Sequence, residues 1–179
     1  MAREIMTGYL DILKEGKVQR VLKDNRAVQF RRASLEDWDE AVELAYRVFK
    51  KYEAAEYGEE GEKEFVEFLN SPILYELFKE GRYVVYVAVA DGDIVGMISL
   101  RNGNFISLLF VDERFHNRGI GSALLDNLIF YLKSSTEHTK VYVHSSPYAE
   151  GFYHRYGFVN EGGRTSAGNI IYTPMSYEL

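Results

Sequence analysis

The chain of 179 residues contains no cysteine. That excludes a disulfide framework, a thiolate metal site and a cysteine nucleophile. No apolar run approaches the length needed to span a bilayer, so no membrane partner is expected. The opening MAREIMTGYL lacks the basic-then-apolar layout of a secretory signal, and the expected location is the cytoplasm. Excess positive charge is also missing. The net charge is -6, whereas phosphate-backbone binding needs clustered cations, so nucleic acid is not expected as a partner. The same acidity fits a cationic substrate such as an amine, although mild acidity also serves solubility alone. There are no internal repeats or low-complexity tracts, and His116, His138 and His154 show no shared ligand spacing. No metal is inferred.

What is present fits one domain, with 46% hydrophobic and 27% charged residues. In residues 1–26, Ile5, Leu10, Ile12, Leu13, Val18, Val21 and Leu22 lie among charges at roughly helical spacing. With Gly16 as a break, they predict an N-terminal extension of two short helices. Residues 27–179 predict a single α/β (α+β) domain with a mixed, mostly antiparallel sheet flanked by helices. A strand over 27–33 is followed by Ser34 as an N-cap and a helix through Trp38, Val42, Ala45, Val48 and Phe49. The polar, glycine-bearing stretch 53–61 reads as a loop or fraying helix end, before a helix over 62–69 and a shorter one after Pro72. Then the period changes. YVVYVAVA, Asp91-Gly92, a strand over 94–100 and Asn102-Gly103 describe strands joined by tight turns. FISLLFV (105–111) is apolar enough for a central strand covered on both faces. Ile120, Leu124, Leu128 and Leu132 step by four along a helix. A strand over 141–144, a short helix over 148–156 and strands over 158–161 and 170–177 complete the pattern.

The most informative stretch is FISLLFVDERFHNRGIGSALLDNLIF, residues 105–130. A strand feeds a loop, then Arg118-Gly119-Ile120-Gly121-Ser122, then an amphipathic helix. The first turn of a helix has unpartnered N–H groups and partial positive charge. Two glycines let an anion approach the backbone, and Arg118 adds a formal charge. Glycines before a helix also occur as an ordinary helix start. The Rossmann spacing fails because position 124 is Leu, and the Walker pattern fails because no Gly-Lys-Ser/Thr follows.

FVDERFHNRGIGSALL resembles the acetyl-CoA-binding motif of the GNAT superfamily of N-acetyltransferases, Gln/Arg-x-x-Gly-x-Gly/Ala. Gly119 and Gly121 match, and His116 stands where Gln or Arg is usual. VHSSPYAEGFYHRYGF (143–158) is similar to the family's second motif through Ala149, Phe152, Tyr153, Gly157 and Phe158. Ser146 stands where many members carry Asn. The resemblance covers about residues 27–177 and leaves 1–26 outside, with room there for a partner or homodimer contact.

The resemblance implies acetyl-CoA as cosubstrate and an acceptor that is a small-molecule or peptide amine. It implies that main-chain groups near Phe110 and Val111 hold the pantetheine arm between diverging strands 105–111 and 141–144. Ser146 would also contact that arm. The N–H groups of Arg118, Gly119, Ile120, Gly121 and Ser122 would hold the pyrophosphate, and the acceptor would enter beside residues 49–60. Without cysteine, direct attack by the amine is expected. Tyr153 is the candidate acid for the departing thiolate, against the alternative of a packing tyrosine. His144 is the candidate base, with a strand-end structural role, Glu56 and Asp112 as alternatives. Glu53, Glu56, Glu59 and Glu60 read either as attraction for a cationic amine or as a solvated acidic surface. The alternative function is a non-catalytic acyl-CoA-binding sensor or partner module on the same fold.

Overall fold

The structure is a computed structural model that describes residues 11–14, 17–22 and 26–179. Ten strands are present among the described residues: β1 (Asp11–Lys14), β2 (Lys17–Val21), β3 (Ala27–Arg32), β4 (Val84–Ala90), β5 (Asp93–Arg101), β6 (Phe105–Val111), β7 (Lys140–Ser145), β8 (Val159–Asn160), β9 (Thr165–Ala167) and β10 (Ile170–Glu178). They run in the order β1-β2-β3-β4-β5-β6-β7-β10-β8, with β9 paired to β10. Every pairing is antiparallel except β6 with β7. The helices are α1 (Trp38–Tyr52), α2 (Ala54–Leu69), α3 (Pro72–Lys79), α4 (Ile120–Ser135) and α5 (Glu150–Tyr156).

The local chemistry explains the meander β4-β5-β6. Asp91 and Gly92 have φ of 55° and 94°, and Asn102 and Gly103 have φ of 52° and 82°. At Asp91-Gly92, between paired Ala90 and Asp93, two successive positive φ values make the two-residue hairpin turn whose twist matches the strands; Asn102 and Gly103 open a three-residue loop between paired Arg101 and Phe105, and Asn, Asp and Gly tolerate these conformations best. Each face of the resulting sheet carries a core. On one, Leu124, Leu125, Leu128 and Leu132 of α4 are completely buried against Val28, Ala88 and Ile98. Each such leucine contributes about 1.5–3 kcal/mol of burial. On the other, Leu44, Ala45 and Phe49 of α1 join Tyr57, Leu69 and Phe78 against Val85, Val87 and Phe110. Gly96 lets α4 lie close to β5, since a Cβ there would stand 3.0 Å from Leu124 and 3.1 Å from Ile120.

Two expectations are corrected. Residues 11–14 and 17–21 are strands, not helices: β1 pairs with β2, and β2 with β3 through Val18–Phe30 to Val21–Ala27. Their apolar spacing fits either period over so short a window, and pairing to β3 decides between them. The rest of the expected N-terminal helical segment, including Ile5, Leu10 and Gly16, lies outside the described residues. Residues 54–61 belong to α2 rather than a loop, with the break confined to Gly58 at φ 68°. Ala54, Tyr57 and Gly61 are buried on one side of α2, and Tyr57 stacks on Phe49 with centroids 5.7 Å apart.

Candidate active site

The site lies where the sheet comes apart. β6 and β7 pair only at Phe105–Tyr142 and Ile106–Val143. On its other edge β6 stays bonded to β5 out to Val111–Gly96, but Ser99 pairs with Leu108 and Leu100 with Ile106, so Ser107 is an extra residue. A bulge bends a strand and increases its twist, which turns the far half of β6 away from β7. Beyond Ile106 the edge of β6 facing β7 carries no ladder bonds. The divergence expected for strands 105–111 and 141–144 is therefore present.

The gap opens into a cleft of about 350 Å³. Its walls come from α2, β6, β7, α5 and β10, with Glu53, Arg101, Phe110, His144, Ser146 and Tyr153 on its surface. Phe49 and Tyr57, within the stretch 49–60, line it too. Tyr153 on α5 is 3% exposed, boxed by Phe152 and Phe158 at centroid distances of 5.2 and 5.1 Å. Burial and, secondarily, the nearby Glu53 carboxylate hold its phenol far above the usual value. It therefore keeps its proton at any working pH.

Glu53, at the junction of α1 and α2, has the most perturbed acidity among the carboxyls of this cleft. Burial raises its pKa to about 7, an effect offset by the nearby Ser146 hydroxyl and reinforced by Glu56. A carboxyl poised near neutrality beside a protonated phenol is the pattern that separates base from acid. Ser146 also lies near Tyr57, and its hydroxyl accepts from the Ala149 N–H at 3.3 Å, so it stands between Glu53 and the start of α5. The sequence marked Glu53 only as one of several acidic residues. Nothing in its neighbours announces burial.

His144 sits elsewhere on the cleft wall. Its ring stacks on Tyr172 at 3.8 Å and meets Phe105 edge-on at 4.7 Å. Burial and then Arg101 push its pKa below the usual imidazole value, leaving a neutral imidazole at pH 7. Of the two alternative bases, Glu56 is exposed. Asp112 is 3% exposed but is occupied as an anchor. It accepts from Arg47 Nη2 at 2.8 Å, and from the Arg114 backbone N–H and Nε at 2.9 Å each. Those contacts, Arg114 foremost, hold it below the usual carboxylate range, so it makes a poor proton acceptor near pH 7.

The loop after β6 forms the cradle. His116 Nε2 lies 2.7 Å from the Val111 carbonyl, so this ring closes the loop instead of reaching outward. Arg118 lies over Phe115, 5.7 Å from the ring centre. Gly119 is the N-cap of α4 at φ 78°, a left-handed conformation that costs other residues about 1–2 kcal/mol. The helix ladder begins with the Ala123 N–H on the Gly119 carbonyl, so the N–H groups of Ile120, Gly121 and Ser122 have no partner within the helix. Gly121 faces Phe152, where a Cβ would make ordinary contact at 3.4 Å. Arg20 of β2 donates to the Gly119 carbonyl at 3.4 Å, so β2 reaches this loop. Among the described residues, no group of three or more His, Asp or Glu could hold a metal, and no helix is long and apolar enough to cross a membrane.

Comparison with known proteins bears on this geometry. The sequence model of a family described as "Acetyltransferase (GNAT) domain" matches residues 53–179. The uncharacterized N-acetyltransferase YafP of Escherichia coli K12 is 45% identical over 74 residues, which is 41% of this chain and 45% of that protein. The match thus spans less than half the length of that relative. Solved structures of N-acetyltransferases share the fold, two of them as follows. A GCN5-related N-acetyltransferase from Rhodopseudomonas palustris superposes with a TM-score of 0.72 at 21% identity, over 84% of this chain and 94% of the other. The PaiA N-acetyltransferase of Thermoplasma acidophilum, in complex with coenzyme A, gives 0.70 at 19% identity, over 85% and 99%.

Proposed function

The chain belongs to the GNAT acetyltransferase family, and from that premise we propose that its cleft moves an acetyl group from acetyl-CoA to a primary amine by direct attack. One observation carries the reading. At the parting of β6 and β7, the fold brings together a carboxyl poised near pH 7, Glu53, and a buried, protonated phenol, Tyr153. The open edge of β6, near Phe110 and Val111, offers main-chain partners to an extended pantetheine arm, with Ser146 beside it. The N–H groups of residues 118–122, with Gly119 as cap, suit the pyrophosphate.

In this reading Glu53 takes a proton from the bound ammonium. The freed nitrogen attacks the thioester carbon, the C–S bond breaks, and Tyr153 passes its proton to the leaving sulfur. The nitrogen sheds its second proton to solvent, Glu53 releases the proton it took to solvent, and the phenol is reprotonated from solvent. Each transfer has a donor and an acceptor suited by environment. Glu53 is preferred to His144 as the base because Glu53 is electrostatically coupled to Tyr153, whereas the neighbours of His144 are Phe105, Tyr172 and Arg101.

The test follows free thiol while the protein is incubated with acetyl-CoA and a panel of primary amines. The chain contributes no thiol of its own, so every signal comes from CoA. Sustained amine-dependent release is expected. Tight CoA binding with no release from any amine would instead indicate a sensor.

A further inference from the structure

Arg101 ends β5 and lines the same cleft. Its Nε is buried and has no hydrogen-bond partner, and no carboxylate among the described residues pairs with the guanidinium. Its own contact is the face of Phe105, 4.5 Å from the ring centre, and its charge is felt by His144. Placing a cation in a partly closed cleft without a counter-ion is costly, and such a group is normally paired. The cost is recovered if a ligand brings the missing anion. Arg offers planar, paired N–H donors that match a carboxylate.

Three charged side chains line the cleft, and each has different neighbours. Glu64 is occupied by Asn169, whose Nδ2 donates to its carboxylate at 2.7 Å. Glu53 lies near Ser146, Tyr57 and Tyr153. Arg101 is tied to Phe105 and His144. The lining also includes the apolar Phe65, Phe68, Ile170 and Ile171.

We propose that the acceptor is an amine that also carries a carboxylate, with Arg101 binding the carboxylate while the amine faces Glu53. This rests on the acyl-transfer reading above, and it narrows the acceptor from amines in general to apolar amino acids and short ω-amino acids. Arg101 would govern acceptor choice and touch neither the acetyl group nor CoA.

The experiment measures binding as well as turnover. Calorimetry on the CoA-loaded protein compares N-acetylphenylalanine, N-acetylleucine and 6-acetamidohexanoate, each with its neutral primary amide. At least one acid should bind tenfold or more tightly than its amide. Arg101→Gln should abolish that preference with CoA affinity unchanged, and Arg101→Lys should restore part of it. In the thiol-release assay, the free amino acid should exceed its amide in kcat/KM by a similar factor, and Arg101→Gln should remove the difference. Acid and amide binding equally, neither binding at all, or a preference that survives Arg101→Gln would each overturn the assignment. So would tighter binding of an acetamidoalkyl phosphate than of the carboxylate. If the acids bind selectively through Arg101 yet no amine releases thiol, the enzyme reading fails and the anion site stands.

Discussion

Replacing Glu53 by Gln should make the folded chain more stable at alkaline pH while it removes activity. The argument starts from burial, which lifts the carboxyl from 4.5 to about 7. In the unfolded chain it ionises near the ordinary value; in the folded chain it holds its proton until about pH 7. Below pH 4.5 it is neutral in both states and contributes nothing. As pH rises from there to about 7 the folded state binds more protons than the unfolded state, so stability falls. At ~1.36 kcal/mol per tenfold change in acidity, the full loss is about 3 kcal/mol. Gln keeps the shape beside Ser146 without the charge. Urea unfolding at pH 5 and pH 8.5 should therefore show Glu53→Gln gaining about 2–3 kcal/mol over the parent at the higher pH, relative to its difference at the lower. Turnover should drop by about 100- to 10,000-fold, as expected for a lost general base. In the parent, activity should rise through about pH 7 as the carboxyl ionises. If the stability difference between the two proteins were the same at both pH values, Glu53 would not be a desolvated carboxyl and its role as base would fall with it.

Tyr153→Phe should lower kcat by about 100- to 10,000-fold and leave the KM for acetyl-CoA nearly unchanged, because the hydroxyl acts only as charge develops on sulfur; a loss below about threefold at every pH would make Tyr153 a packing residue. His144→Asn, measured beside it, should retain most activity, and a collapse matching that of Glu53→Gln would return the base to His144. Gly119→Ala should cost about 1–2 kcal/mol of stability through its φ of 78° and should weaken CoA binding in calorimetry. Arg20→Ala should also weaken CoA binding, because its contact with Gly119 braces the loop; unchanged affinity would confine β1 and β2 to a structural role.

Much of the frame was legible because its signals are local. The turns Asp91-Gly92 and Asn102-Gly103, the apolar run 105–111 and the four-residue steps of α4 each depend on residues adjacent in the chain. The glycine loop and Tyr153 were legible through the family resemblance. What escaped depends on partners distant in sequence. Leu13, Val18 and Val21 satisfy a helical period as well as a strand, and only β3 arbitrates. Residues 54–61 look solvated until Tyr57 meets Phe49 across the α1–α2 junction. Glu53 is one glutamate among many until the body of the cleft closes over it, beside Ser146 almost a hundred residues on. Arg101 resembles any arginine at a strand end, and its missing counter-ion is visible only once the cleft is assembled. β9 is three residues long, too short for periodicity to register.

The pairing of β6 and β7 has a mechanical consequence. The sheet is two panels, β1 to β6 and β7 to β10 with β8 and β9, joined by a seam of two residue pairs and by the chain through α4. An extended ligand lying in the open part of the seam would act as a splint and bridge both panels. Loading with ligand should then do more than raise the midpoint of unfolding by mass action. It should slow amide exchange along the facing edges of β6 and β7 together, far more than at the distant hairpin of β4 and β5. Without the splint, each panel would open on its own clock. With it, the two would melt as one body.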